Sequence, residues 1–210
     1  MGLWGRLFGE PERSLTQVAD LDVGDMVRFK LYAPGFLAGA AFEVAAVNTY
    51  EYEAGPEYEF VLKGVSPRQL YLTVDPNADD EGLRLSIRIV RNEVAALFDM
   101  DSFAEIFDRE DGEVRLRCRS DAVPDGLDGW SADAYYRTAF AVPAYFFKGD
   151  YRKATVPEDG GEGLDYYALT SSDETRAVEI EVFDGDEDVL LTLIVEPGLV
   201  EELWPAGKAR

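Results

Sequence analysis

Leu70-Tyr71-Leu72-Thr73-Val74 and Leu83-Arg84-Leu85-Ser86-Ile87-Arg88-Ile89, separated by the acidic residues 75–82, form the stretch that decides the fold. Apolar and polar residues alternate in both runs, which is the period of a β-strand with one face on a core. The break between the runs is rich in turn-forming residues. The stretch therefore predicts a β-hairpin. Its register is firm, because a slip of one residue would expose the whole apolar face.

A second hairpin of the same kind is predicted over residues 178–195, again with an acidic turn between two alternating runs. Three further pairs of segments correspond in the same order: residues 42–55 with 136–149, 57–62 with 165–170, and 94–98 with 200–204. Repetition of four elements in one order predicts an internal duplication. The alternative, that any two β-meanders look alike at this level, stays open.

The predicted fold is therefore mainly β, with two similar antiparallel β-meanders, barrel- or sandwich-like, and short helices after each hairpin. The apolar faces of the hairpins are expected to meet in a shared interior and to leave the acidic tips in solvent. The predicted divisions are an amphipathic segment and linker at 1–20, a first repeat at 21–108, a second repeat packed on it at 109–204, and a tail at 205–210. Helical spacing predicts two short helices within residues 92–107, and alternation predicts a short strand at 151–156.

Charge and composition restrict the partners. The 210 residues include 42 acidic and 20 basic side chains, a net charge of −22, which repels phosphate backbones. We therefore predict no nucleic-acid partner. Cys118 is the only cysteine, so no internal disulfide forms, and the sequence contains no long apolar run and no secretory signal. These features predict a cytoplasmic protein.

The chain contains no histidine, which removes the commonest general base and metal ligand. A Ser-His-Asp or Cys-His arrangement cannot be built, and a tetrahedral zinc site is not credible with one cysteine. The sequence also has no glycine-rich phosphate loop of a known type. We therefore predict no catalytic residues, no cofactor and no metal site.

The two acidic hairpin tips are the closest approach to a metal motif. Asp184, Asp186 and Asp188 have the spacing of the first half of a calcium loop, and Asp75, Asn77 and Asp79 repeat it. Both lack the turn glycine and the closing glutamate of that loop. Solvated turn residues that cap their own backbone are the alternative.

Two groups of residues are candidate ligand sites. Trp130, Tyr135, Tyr136 and Arg137 could line a cleft between the halves, with an ordinary aromatic core as the alternative. Arg115, Arg117 and Arg119 alternate along one predicted strand and could bind an anion. The alternative for this ladder is pairing with acidic outer faces at Glu51 and Glu53 or at Glu179 and Glu181.

The N-terminal segment is a candidate docking element. Leu3, Trp4, Leu7 and Phe8 would share one face of a two-turn helix, which could contact a membrane surface or a partner protein. A helix this short is marginal in water, so packing on the body of the protein is the alternative.

The sequence resembles a known family in several short motifs. These are Val23-Gly24-Asp25-Met26-Val27, Leu83-Arg84-Leu85-Ser86-Ile87, Leu164-Asp165-Tyr166-Tyr167, Ala177-Val178-Glu179-Ile180-Glu181 and the segment from Pro197 to Trp204. Together they resemble the uncharacterised bacterial domain-of-unknown-function family 4178, to which YjfK-type proteins are similar. The family has no established catalytic residues. The resemblance implies a bacterial context beside phage-shock-type membrane-stress proteins and polyamine synthase-like enzymes.

Three functions are consistent with these observations. The first is a non-enzymatic interaction or accessory protein of the bacterial cytoplasm with an unidentified protein partner, possible oligomerisation and peripheral membrane contact through residues 3–8. The second is a binding module for a small molecule, a polyamine or an anion in a cleft between the halves. The third is a carboxylate-dependent hydrolase, which requires two acidic groups that face each other in a deep pocket.

Overall fold

The computed structural model of the chain describes residues 13–75, 82–108, 111–119, 123–157 and 159–206. Within this part the structure is mainly β. The strands are β1 Met26–Phe29, β2 Ala41–Tyr52, β3 Gly55–Lys63, β4 Leu70–Val74, β5 Leu83–Ile89, β6 Arg115–Arg117, β7 Ala134–Phe147, β8 Glu162–Ser171, β9 Arg176–Val182, β10 Glu187–Val195 and β11 Val200–Trp204. The α-helices are α1 Arg91–Leu97 and α2 Met100–Asp108, and 3-10 turns occur at Val18–Asp20, Gly35–Leu37 and Pro197–Leu199.

Eight of the strands close into an antiparallel barrel. Their order around the ring is β2-β3-β4-β5-β10-β9-β8-β7, and residues 144–147 of β7 pair with residues 49–52 of β2 to complete it. The first half of the chain supplies β2 to β5 and the second half supplies β7 to β10. The two predicted hairpins are confirmed as β4–β5 and β9–β10.

Strands β1, β11 and β6 extend the sheet beyond the ring, because β2 and β7 pair with each other along only part of their length. Strand β1 pairs with the beginning of β2, and β11 pairs with β1. Strand β7 carries β6, with Arg115 opposite Tyr136. Register shifts between Arg137 and Val142 interrupt β7, and Ala141 there has a φ of 45°. Such bulges bend a long strand, so that β7 pairs with β6 near its beginning and with β2 near its end.

The apolar faces of the hairpins lie on the outside of the barrel. Leu72, Leu85 and Leu193 are adjacent on this outer face and are buried. Helices and loops cover them, and the same core cluster includes Leu37, Val94, Leu97, Ile106 and Trp130. The expectation that the apolar faces of both hairpins meet in a shared interior is confirmed, since this one cluster contains Leu72 and Leu85 of the first hairpin and Val178 and Leu193 of the second. The shared interior lies outside the ring, because closure of the ring turns the opposite, polar face inward.

Both halves arrange their strands in the same order, which a duplication requires. Any antiparallel meander has this order whatever its origin, so the order alone does not establish copying. The segments after the hairpins differ. The predicted helices after β5 are confirmed as α1 and α2, but the helix predicted after the second hairpin is wrong. Residues 200–204 form β11 instead, because they pair with the otherwise open edge of β1.

The predicted strand at residues 151–156 is also wrong. The Arg152 guanidinium donates hydrogen bonds to the carbonyl oxygens of Ala19 at 2.8 Å and Leu21 at 2.7 Å, and it pairs with Asp22 at 2.7 Å. This loop is therefore attached to the N-terminal segment through one side chain rather than through a strand ladder.

Candidate functional site: the polar barrel lumen

The polar faces of the strands line the lumen of the barrel. Side chains alternate along a strand, so the neighbours of each outward apolar residue point inward. One cavity, the hairpin chamber, has a volume of about 540 Å³ and includes the β2–β3 turn. A second cavity, the acidic chamber, has a volume of about 610 Å³ and includes the β9–β10 turn. All eight barrel strands line the hairpin chamber, through Tyr50, Tyr52, Glu57, Glu59, Thr73, Arg84, Ser86, Val142, Tyr166, Glu179, Glu181 and Leu190.

The two chambers share a partition formed by Tyr50, Glu59, Glu181 and Leu190, which line both. The Tyr50 hydroxyl donates a hydrogen bond of 3.2 Å to Oε2 of Glu181. Tyr50 lies on β2 and Glu181 on β9, and two strands separate them around the ring. This hydrogen bond therefore crosses the lumen.

Aromatic rings form much of the wall of the hairpin chamber. Tyr50 and Tyr52 stack with ring centroids 6.3 Å apart, Tyr50 contacts Phe146 at 5.1 Å, and Tyr52 contacts Tyr166 at 5.9 Å. Burial raises the pKa of Tyr50 and of Tyr52 well above the ordinary value for tyrosine. These tyrosines therefore stay neutral and offer ring faces and hydroxyls to the chamber.

One lumen carboxylate, Glu179, has a full set of partners. It forms a salt bridge with Arg84 and accepts a hydrogen bond of 2.5 Å from the Tyr166 hydroxyl. Thr192 and Ser86 also donate to it. A buried carboxylate with this many donors and an arginine is stable as an anion. Glu179 is therefore a structural part of the wall rather than a free ligand.

Two other carboxyls of the lumen, Glu59 and Glu181, have no such set of partners. Glu59 is 7% exposed and accepts a hydrogen bond of 2.8 Å from the Asn48 amide. Glu181 is 9% exposed and accepts the hydrogen bond from Tyr50. Within the described part of the chain, neither forms a salt bridge with a lysine or arginine.

Burial raises the pKa values of both Glu59 and Glu181. Burial, with a smaller contribution from the charge of Glu181, raises the pKa of Glu59 to about 8. Burial likewise raises the pKa of Glu181 to about 7, against the lowering effect of the Tyr50 hydrogen bond. Both carboxyls therefore hold a proton over part of the neutral range.

Acidic groups outnumber basic ones throughout the lumen. The hairpin chamber is lined by five carboxylates, Glu53, Glu57, Glu59, Glu179 and Glu181, against one cation, Arg84. The acidic chamber is lined by seven carboxylates, Glu59, Glu162, Glu181, Asp184, Asp186, Glu187 and Asp188, against Arg88 and Lys148. A cavity lined by one sign of charge concentrates counter-ions, so this lumen attracts cations.

The cleft predicted from Trp130, Tyr135, Tyr136 and Arg137 is not formed. Trp130 and Tyr135 are completely buried in the outer core, where Trp130 stacks on Phe36 at 5.5 Å. Tyr136 lies beneath the Arg115 guanidinium, and Arg137 donates to the carbonyl oxygens at positions 106 and 112. The core alternative accounts for Trp130 and Tyr135, which belong to the hydrophobic core cluster, and the contacts of Tyr136 and Arg137 lie elsewhere.

The arginine ladder is exposed at the edge strand β6. Arg119 pairs with Asp99 at 3.1 Å, and Arg115 lies over the Tyr136 ring. The alternative that the ladder pairs with Glu179 and Glu181 is wrong, because both glutamates point into the lumen. Strand β6 pairs with β7 and not with the strands that carry the expected partners.

Other predicted sites fall partly outside the described residues. Leu3, Trp4, Leu7 and Phe8 lie outside them, as do Asn77 and Asp79 of the first hairpin tip. At the second tip the Asp188 carboxylate pairs with Arg88 at 2.7 Å. In the described ranges no group of three or more Cys, Asp or Glu side chains is arranged to hold a metal ion.

Sequence reasoning missed the residues that line the lumen. Their signal was present as Glu57-Tyr58-Glu59 and Glu179-Ile180-Glu181, in which glutamates alternate with apolar residues. This pattern is typical of a strand with one solvated face. Only the closure of the ring decides that the polar face is enclosed.

Comparison with known proteins identified no relative: no family model, no curated protein and no solved structure matches the chain. None of the helices in the described residues is long and apolar enough to cross a membrane.

Proposed function

We propose that the protein is a non-enzymatic binding module that takes a small organic cation, such as an alkylamine or a polyamine, into its barrel lumen. The observation that carries this proposal is the pair Glu59 and Glu181, two buried carboxyls in the partition without a salt-bridge partner among the described residues. An ammonium group between them would supply the missing charge and hydrogen-bond donors.

The rest of the lumen supports the same class of ligand. The walls of the hairpin chamber combine tyrosine rings, which attract cations over their faces, with an excess of carboxylates. A volume of about 540 Å³ is in the range of small-molecule sites. An anionic ligand, the other possibility raised by the sequence, is disfavoured because Arg84 is already paired with Glu179 and Arg88 with Asp188.

The test is isothermal titration of the full chain with putrescine and spermidine, at physiological salt, against inorganic phosphate and the neutral diol butanediol. We expect the amines to bind and the phosphate and diol not to bind. The variant Glu59→Gln/Glu181→Gln keeps the shape of the partition and should weaken amine binding at least tenfold, since it removes two charges from the site. Glu105→Gln, an exposed carboxylate on α2 that lines neither chamber, is the matched control. Equal binding of amines to the double variant and the wild type would refute the proposal.

A carboxylate-dependent hydrolase is the second candidate, since Glu59 and Glu181 line one enclosed partition. Such enzymes use two carboxyls whose pKa values are pushed apart, one acid and one base. Burial raises the pKa of both residues here, to about 8 and about 7, which favours binding over this chemistry. A panel of nitrophenyl glycosides is the test. Turnover that disappears in both Glu59→Gln and Glu181→Gln would establish the hydrolase instead.

We also propose that the two meanders are copies of one ancestral unit, supported by their shared strand order and their matched junctions at β5–β10 and β2–β7. A tandem chain made of two first halves should fold into the same ring, and a failure to form monomeric β structure by circular dichroism and gel filtration would count against copying. The accessory role beside membrane-stress proteins stays a prediction, as does the resemblance that implies it.

A further inference from the structure

The two carboxyls of the partition determine how the charge of a bound cation is balanced, an inference that depends on the proposed function of the lumen as an amine site. Glu59 on β3 and Glu181 on β9 lie on opposite walls of the ring, four strands apart in either direction. Both line the partition between the chambers, and both are more than nine-tenths buried. Two ionised carboxylates enclosed this way without a cation would repel each other and lose solvation.

We propose that the lumen exchanges protons for an ammonium group: Glu59 and Glu181 are protonated in the ligand-free barrel and ionise when an amine binds between them. One ammonium group balances the charge of one released proton, and a diamine such as putrescine, with two ammonium groups, balances both. Binding of an amine is therefore coupled to proton release, and its strength depends on pH.

The other charged groups that face the partition do not supply the missing cation. On β5, Arg84 is paired with Glu179 of β9, and Arg88 is paired with Asp188 of β10 at 2.7 Å. Arg88 lowers the pKa of Glu59 and of Glu181, but less than burial raises them.

Apart from Lys148, which is exposed and forms no salt bridge with Glu59 or Glu181 among the described residues, the remaining titratable neighbours are acidic or neutral. On β3, Glu57 adds negative charge to the hairpin chamber, and burial raises its pKa as well. Tyr50 and Tyr52 of β2, Tyr71 of β4 and Tyr166 of β8 all have a raised pKa and stay uncharged. Lys148 and Glu162, at the ends of β7 and β8, line the acidic chamber and not the hairpin chamber.

The exchange predicts a specific dependence on pH. A primary alkylamine stays protonated up to about pH 9, so the protein and not the ligand changes charge below that value. With a pKa of about 8 for Glu59 in the free barrel, its ionised fraction rises about 25-fold between about pH 6.5 and pH 8.5. We expect the affinity for putrescine to rise about tenfold or more over this interval. Proton release should be about one to two per ligand near pH 6.5 and should approach zero near pH 9.

The experiment is titration calorimetry of the full chain with putrescine at several pH values, each in two buffers with different heats of ionisation, at constant salt. The difference between buffers gives the number of protons released. Glu59→Gln should bind more weakly, release fewer protons and lose most of the pH dependence, whereas Glu105→Gln, which lies outside both chambers, should behave as the wild type. A urea unfolding curve for each variant verifies that it is folded.

The outcomes separate the two proposals. Binding with proton release and an affinity that rises with pH supports the exchange. Binding of putrescine with no proton release and a flat affinity overturns the exchange but leaves the amine site intact. An absence of binding by any amine at any pH overturns the proposed function and the exchange with it.

Discussion

Replacing Glu59 with glutamine should stabilise the protein increasingly as pH rises. Burial raises the pKa of Glu59 from 4.5 to about 8 on folding, so between these values the folded barrel holds a proton that the unfolded chain has lost. Each pH unit of this difference removes about 1.4 kcal/mol from the free energy of unfolding. Glutamine has nearly the same shape as protonated glutamate, accepts the same hydrogen bond from Asn48, and carries no charge at any pH.

The raised pKa of Glu59 also sets the direction and the magnitude of the change in the free energy of unfolding with pH. A carboxyl whose pKa is raised on folding contributes its full stability below about pH 4.5, and this contribution is lost as pH rises toward about 8. Between about pH 5 and pH 7.5 the wild type should therefore lose about 3 kcal/mol relative to Glu59→Gln.

Urea unfolding of the wild type, Glu59→Gln and the control Glu105→Gln at several pH values measures this difference. The free energies of wild type and control should stay parallel, while the curve for Glu59→Gln diverges upward. Parallel curves for all three proteins would refute the claim that Glu59 is enclosed without a cation.

Three further substitutions test other parts of the structure by urea unfolding. Arg84→Met should cost about 3 kcal/mol, because it leaves the buried Glu179 carboxylate without its cation; a cost below 1 kcal/mol would contradict that pairing. Gly64→Ala should cost about 1–3 kcal/mol, because its Cβ would lie 2.6 Å from the ring of the buried Phe42, and unchanged stability would disprove this close approach. Arg152→Ala should cost about 2 kcal/mol through lost hydrogen bonds, and rescue by lysine would argue against its multiple contacts.

The alternation of residues along the chain was sufficient to predict most of the strands. Leu70 to Ile89 and Val178 to Val195 are hairpins in the expected register, since the period of two is a local property of a pleated strand. The helical spacing around Val94 and Phe103 likewise predicted α1 and α2. Two elements that depend on contacts with distant parts of the chain were predicted wrongly. Val200–Trp204 is a strand because β1 offers it an open edge, and residues 151–156 are not a strand because Arg152 anchors them elsewhere.

The candidate site likewise depends on contacts between strands that are distant in the chain. The sequence alone determines that Glu59, Glu179 and Glu181 lie on the faces of their strands opposite the apolar residues, because side chains alternate. It does not determine whether that face meets water or an enclosed lumen. The tertiary structure decides this, since the pairing of β2 with β7 closes the ring and turns the polar faces inward. Arg84 then forms a salt bridge with Glu179, while Glu59 and Glu181 are buried without such a partner. The local sequence pattern is the same for all three glutamates and cannot predict this difference, because the difference depends on strands that are distant in sequence.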